Sequence, residues 1–290
     1  MSREPNLDQL VEQAREGNEE ALEAVVRGIQ DRIYNLALRM LWHPSDAEDA
    51  TQEILIKVIT HLSQFRQESA FMTWVYQIAK NHLLTTRRHR AETNPLSFAF
   101  IGDELEALEA EHSPAHSAFE SQDEVEQGLL IKEIQLRCTL GMLLCLDREH
   151  RLAYILGEIF EVSSAQGASI LAISETAFRK RVSRARARLQ RFMEPNCGLV
   201  SEAKECNCVR QLNQSSSAEK RRLASLLATH PLGVSAFQPD AGLKAQAYEL
   251  GHLEQLAAIF RSHPSFAASD RFVLAIKRLL ASETFRIFET

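Results

Sequence analysis

Apolar residues recur at helical spacing along most of this chain. Ala47, Ala50, Ile54, Val58 and Leu62 fall three or four apart and form one stripe. Phe178, Val182, Ala185, Leu189 and Phe192 form a second seam at spacings of 4, 3, 4 and 3. A third set, Leu250, Leu253, Ala257 and Phe260, lies near the C-terminus. The punctuation agrees with the periodicity. Only 11 of 290 residues are Gly, and the eight Pro leave residues 45–94 and 115–194 uninterrupted. The pattern predicts an all-α protein. It argues against a Gly-rich nucleotide-binding α/β fold and against a many-turned β-sandwich.

Charge divides the chain further. Residues 91–130 hold ten Asp or Glu and no Lys or Arg, whereas residues 131–192 are net +5. With Pro95, Gly102 and Pro114, the acidic stretch reads as a linker, with a helical turn around residues 104–111. It serves either as a solvated tether or as a nucleic-acid-like strand for a basic channel. The boundaries follow as 1–94, 95–130, 131–193 and 194–290. No apolar N-terminal run or uninterrupted apolar span is present, and five Cys form no even framework. A soluble, cytoplasmic protein without membrane insertion is expected.

Each segment carries candidate chemistry. Ser45 to Glu48, after Pro44, has the form of a capping box. Behind it Asp46, Asp49, Gln52 and Glu53 make an acidic face, which spacing alone reads as solvated. From Phe65 to Arg90, aromatics flank a polar loop and a basic helix end follows. That combination offers π faces to unstacked bases and cations to phosphates, although Phe71 and Trp74, one turn apart, equally suit a core. The most informative element is residues 164–192, a short helix, a turn and a second helix beginning after Ser174. The second helix has seven cations, Arg179, Lys180, Arg181, Arg184, Arg186, Arg188 and Arg191, against Glu175 alone. This is the helix-turn-helix plan. Groove geometry turns Glu175, Thr176, Arg179 and Lys180 toward bases, and Arg184, Arg186 and Arg188 toward phosphates.

Together these segments resemble an extracytoplasmic-function (ECF) sigma factor of bacterial RNA polymerase. The resemblance rests on AEDATQEIL at residues 47–55, FRQESAFMTWVYQIAKNHLLTTRR at 65–88, LDREHRLAYIL at 146–156 and LAISETAFRKRVSRARARL at 171–189. It implies two helical sigma domains, the second a helix-turn-helix, joined by the acidic linker, and no catalysis. By that resemblance Asp46, Glu48, Asp49, Gln52 and Glu53 dock on core RNA polymerase. Phe65, Arg66, Trp74, Asn81, Arg87 and Arg88 read and melt the −10 element of promoter DNA by holding an extruded base. Ser174, Glu175, Thr176, Arg179, Lys180, Arg181, Arg184, Arg186 and Arg188 contact the −35 element. The linker then threads the polymerase channels. Departures from the family pattern are Thr85 for Asp, Asp147 for Pro, Gln166-Gly167-Ala168 for Glu-Ile-Ala, and Ala177-Phe178 for Thr-Val.

Residues 194–290 extend beyond this core. Cys197, Cys206 and Cys208 are spaced so that three thiolates bind Zn²⁺ or Cu(I), or form a reversible disulfide, with His230, His252 or His263 as a further ligand. No cofactor is otherwise required. Cys138 and Cys145 read as core. Helical patterns at 218–229, 243–262 and 270–288 are separated by Pro231, Pro239 and Pro264. This tail is expected to be a helical regulatory extension, acting in place of or beside an anti-sigma protein. The competing readings are a stand-alone helix-turn-helix regulator and a metalloenzyme. The first leaves the acidic helix and aromatic loop unexplained, and the second lacks a general base or phosphate loop.

Overall fold

The computed structural model describes residues 6–85, 96–110, 124–201, 206, 208–214, 252–263, 265–269, 271–274 and 278. Among these the regular elements are helical, as the periodicity predicts. They belong to two units, one comprising Met1–Arg87, Ser164–Glu175 and Ser265–Thr290, the other Arg88–Ser163 and Thr176–Pro264.

The first unit is built around α2 (Glu19–Leu41). Asn18 Oδ1 accepts the Ala21 amide at 2.9 Å and caps its first turn. Ile29, Ile33, Leu36 and Ala37 are fully buried, so this helix is apolar on more than one face and is enclosed by its neighbours. Those are α1 (Leu7–Arg15), α3 (Pro44–Thr60) and α4 (Phe71–Thr85). Ala47, Ala50, Ile54, Val58 and Leu62 are all buried, which realises the predicted stripe. The capping box at Ser45 does not form. Pro44 occupies the first helical turn and His43 takes the capping position, with Ser45 Oγ 2.8 Å from His43 Nδ1. Proline has no amide to satisfy and a φ preset for a helix start, so it moves the beginning forward. The unit also includes α8 (Ser164–Leu171), packed on α4.

The second unit contains α5 (Phe98–Ala110), α6 (Glu124–Leu144), α7 (Arg148–Tyr154), α9 (Glu175–Asn196), α10 (Cys208–Gln214) and α11 (His252–Arg261). The buried Arg151 donates to the carbonyls of Leu143, Leu144 and Leu146 at 2.9–3.1 Å, closing the C-terminal end of α6. A π turn, Ile155–Ile159, continues α7. A Cβ added at its Gly157 would stand 3.0 Å from Val182 and 3.4 Å from Phe178, so a larger residue would press on α9 and oblige Val182 to give way. The acidic stretch holds more helix than the turn predicted for it. Its helix α5 begins where the Ser97 hydroxyl accepts the Phe100 amide at 3.1 Å.

The tail is part of this packing where it is described. Leu212 on α10 packs with Leu130, Ile131 and Ile134 of α6. Phe260 on α11 meets Tyr154 edge to face at 5.5 Å, and Arg261 Nε donates to the Glu158 carbonyl at 2.6 Å. The predicted helix at 218–229, Leu250, His230, Arg87 and Arg88 lie outside the described residues.

Candidate nucleic-acid and polymerase interface

On α3 the apolar stripe faces inward, which leaves Asp49, Gln52 and Glu53 exposed and Asp46 and Glu48 half-buried. Glu48 lies near Tyr34; burial, with this carboxylate adding to it, pushes the phenol up to about 12. Glu53 Oε2 is 3.6 Å from Nδ1 of the buried His82, whose same nitrogen is 3.0 Å from Lys57 Nζ. Asp46 and four residues of the AEDATQE motif therefore stand along one helix, with Asp49, Gln52 and Glu53 forming its solvent-facing edge.

The aromatic loop has a different character. Phe65 is 5% exposed, and its ring centroid lies 5.3 Å from Phe71 and 5.4 Å from Trp74. A base that stacked on Phe65 would first have to part it from these rings. Arg66 and Asn81 are exposed, and Trp74 is half-buried. Gln67 holds the loop by donating to Glu12 Oε2 at 2.6 Å, at a φ of 57°. Trp74, Gln77 and Asn81 follow one another at helical spacing on α4. Gln77 Nε2 donates to the Ser169 carbonyl at 3.1 Å, so α8 lies beside this row.

The seam of α9 is buried at all five predicted positions. Outside it, Ser174, Glu175, Thr176, Arg179, Lys180, Arg184 and Arg191 are exposed. Three other cations are held by carboxylates, a feature that local pattern did not reveal. Arg181 pairs with Glu149 at 2.8 Å, Arg188 with Asp147 at 3.0 Å, and Arg186 with the largely buried Glu158. Asp147 also caps α7 through the His150 amide at 3.0 Å. Burial opposes its charge, but the His150 amide and ring and the Arg188 guanidinium outweigh that and hold the carboxyl at about 2. The acids that hold Arg186 and Arg188 lie 28 and 41 residues away in sequence. Beside α9, Phe98 and Phe192 meet at 5.2 Å, and a groove of about 390 Å³ is lined by Asp103 and Glu106 of α5 and by Arg188 and Arg191.

The expected Zn or Cu site is not formed. Among the described residues no three His, Cys, Asp or Glu side chains are placed to hold a metal ion, and Cys197, Cys206 and Cys208 are half-buried thiols that form no disulfide. The loop closes through backbone instead. The Cys197 amide donates to the Met193 carbonyl at 2.8 Å and the Gly198 amide to the Cys206 carbonyl at 2.7 Å. Gln211 Nε2 contacts Cys206 Sγ at 3.7 Å. Burial pushes the Cys197 thiol up, and it does the same more strongly at Cys138, which faces this group from α6. Protonated thiols are poor ligands. His263, a suggested fourth ligand, is buried against Thr139 Oγ1 at 2.7 Å.

Comparison with known proteins agrees with this layout. Residues 25–93 match the sigma-70 region 2 family. The RNA polymerase sigma-H factor of Pseudomonas aeruginosa is 29% identical over 193 residues, covering 64% of this chain and 93% of the relative. The ECF RNA polymerase sigma-E factor of Escherichia coli K12 is 28% identical over 191 residues, with the same coverage. Among solved structures, CnrH in complex with the cytosolic domain of CnrY covers 64% of this chain and 95% of its own, at 20% identity and a TM-score of 0.45. The sigma factor RpoE in complex with the anti-sigma factor NepR from Bartonella quintana covers 58% and 94%, at 18% identity and a TM-score of 0.36. Among the described residues, no helix is long and apolar enough to cross a membrane. The region 2 match takes in the acidic α3, the aromatic loop and α4, and over 64% of its length the chain is similar to ECF-type RNA polymerase sigma factors.

Proposed function

We propose that the chain is a sigma factor directing promoter recognition through core RNA polymerase, and that the described elements divide this function among them. The edge of α3 formed by Asp49, Gln52 and Glu53, with Asp46 and Glu48 behind it, docks on a basic surface of core polymerase. Arg66, Trp74 and Asn81 receive the opened −10 strand, with Phe65 joining them once it leaves Phe71. Arg179, Lys180 and Arg184 engage the −35 duplex, where Thr176 and Arg179 stand at the base-reading end of α9. The observation that carries this reading is that one chain presents an acidic helix edge and a basic helix face on separate elements. An acidic edge is of no use against DNA and calls for a protein partner. An anti-sigma protein, of the kind bound to RpoE in the solved complex, is a further partner under this reading.

Transcription in vitro tests the assignment. Purified protein added to core polymerase on promoter-like duplexes should give defined start sites that core alone does not give. Duplex binding without core, and no initiation with it, would favour a stand-alone regulator.

A further inference from the structure

The face of α2 that carries Asp31, Asn35 and Arg39, one turn apart, is covered by residues 265–268 of the chain's own tail. Asn35 pairs twice with the Phe266 backbone, donating from Nδ2 to the carbonyl at 2.7 Å and accepting the amide at Oδ1 at 3.1 Å. Asp31 Oδ1 accepts the Ala268 amide at 2.8 Å. The Arg39 guanidinium lies 5.7 Å from the Phe266 ring centroid, and its Nη1 donates to Asn35 Oδ1 at 2.8 Å. Phe266 and Ala268 are buried whereas Ser265 and Ala267 are exposed, the alternation of an extended peptide. The helix thus binds this segment through its main chain, with one aromatic ring set against a cation.

The chemistry of the covered stripe suits a removable occupant. Asn35 is 6% and Arg39 4% exposed. Burial lowers the Arg39 pKa to about 10, which leaves it charged near neutrality. A face covered permanently is better served by apolar side chains, because a buried cation and amide bear a desolvation cost. Acid and amide in this row are soluble when bare and paired with the strap backbone when covered, and the guanidinium faces its ring.

A partner for this surface follows from size. At 1.5 Å per residue α3 is about 26 Å long, and one exposed face offers on the order of 250 Å². A stable protein complex buries about 800 Å² on each side. Polymerase docking on α3 must therefore spread onto its neighbours, and α2 is packed along it. We propose that residues 265–268 form an intramolecular competitor of core RNA polymerase, occupying the Asp31–Asn35–Arg39 stripe and leaving it when polymerase docks on α2 and α3. This rests on the sigma reading above.

The test uses the full-length protein, wild type and with Phe266→Ala, Ala268→Pro or both, and Leu274→Ala as an exposed control. Ala268→Pro removes one amide donor and leaves α2 untouched. Two quantities are read: hydrogen exchange in the peptide spanning 265–269, and Kd for core polymerase. The strap variants should exchange faster and bind core about three- to tenfold more tightly, with Leu274→Ala matching wild type. Core binding should also raise exchange in that peptide of the wild type. Unchanged affinity in variants whose strap has been released would overturn the proposal while leaving the sigma reading standing, and so would undiminished protection of the peptide on core. Failure of the wild type itself to bind core would overturn both.

Discussion

Helices α3 and α9 are built to the same plan and present opposite charges, yet their charged faces are in different states. Both bury an apolar seam at positions three and four apart. On α3 the outer acids Asp49 and Glu53, with Gln52, stand in solvent. On α9, Arg181, Arg186 and Arg188 are already held by carboxylates from α7, its cap and the π turn that follows it. A count of charges on a helix therefore overstates what that helix offers a polyanion. Under the proposed function DNA competes with Asp147 and Glu149 for Arg188 and Arg181, whereas Arg179, Lys180 and Arg184 stand exposed.

If the plan is shared, truncating either seam should cost similar stability. Phe178→Ala should lose about 3–5 kcal/mol and Ile54→Ala about 2–5 kcal/mol in denaturant unfolding. A loss below about 1 kcal/mol at one of them would break the parallel. Charge changes should separate the two helices. Reversal of Asp49 and Glu53 to Lys should weaken core binding by about tenfold or more, with helix content unchanged by circular dichroism. At α9, Ala172 sets the smaller effect in the turn before it. Its φ of 55° lies in the left-handed region, so Ala172→Gly should stabilise the protein by about 1 kcal/mol, read as a higher denaturant midpoint.

Asp147→Asn sharpens the comparison most finely. It releases Arg188 without adding a cation, so duplex affinity should rise about two- to fivefold in low salt and the salt dependence should steepen. Arg184→Ala should do the reverse and lower affinity for all duplexes alike. The Asp147 substitution should also alter the acid limb of stability. Because folding lowers the Asp147 pKa to about 2, its contribution is present above the unfolded value near 4 and is lost as pH falls from about 4 to 2. The variant should lack that part of the loss; an identical acid limb would mean that the carboxylate is not held as described.

Much of the fold was readable from local pattern, because helix seams repeat within a few residues. The stripe from Ala47 to Leu62 and the seam from Phe178 to Phe192 needed nothing more. What local pattern could not show depends on residues far apart in the chain: the arginine pairs of α9, the strap on Asn35, and Gln77 on Ser169. The Cys197–Cys208 spacing misled for a related reason. Spacing says that thiols are near one another along the chain, but the backbone pairing of Gly198 with Cys206 decides how the loop closes. Ser45 misled because a proline one residue earlier suffices to begin the helix.

The bond from Gln77 to Ser169 has one more consequence. Helix α8 is both a neighbour of α4 and the first half of the helix-turn-helix. A ligand that prefers α4 with α8 displaced will, by thermodynamic reciprocity, favour by the same factor any ligand that requires α8 to be released. Two ligands, one on each helix, would then act as allosteric effectors of each other.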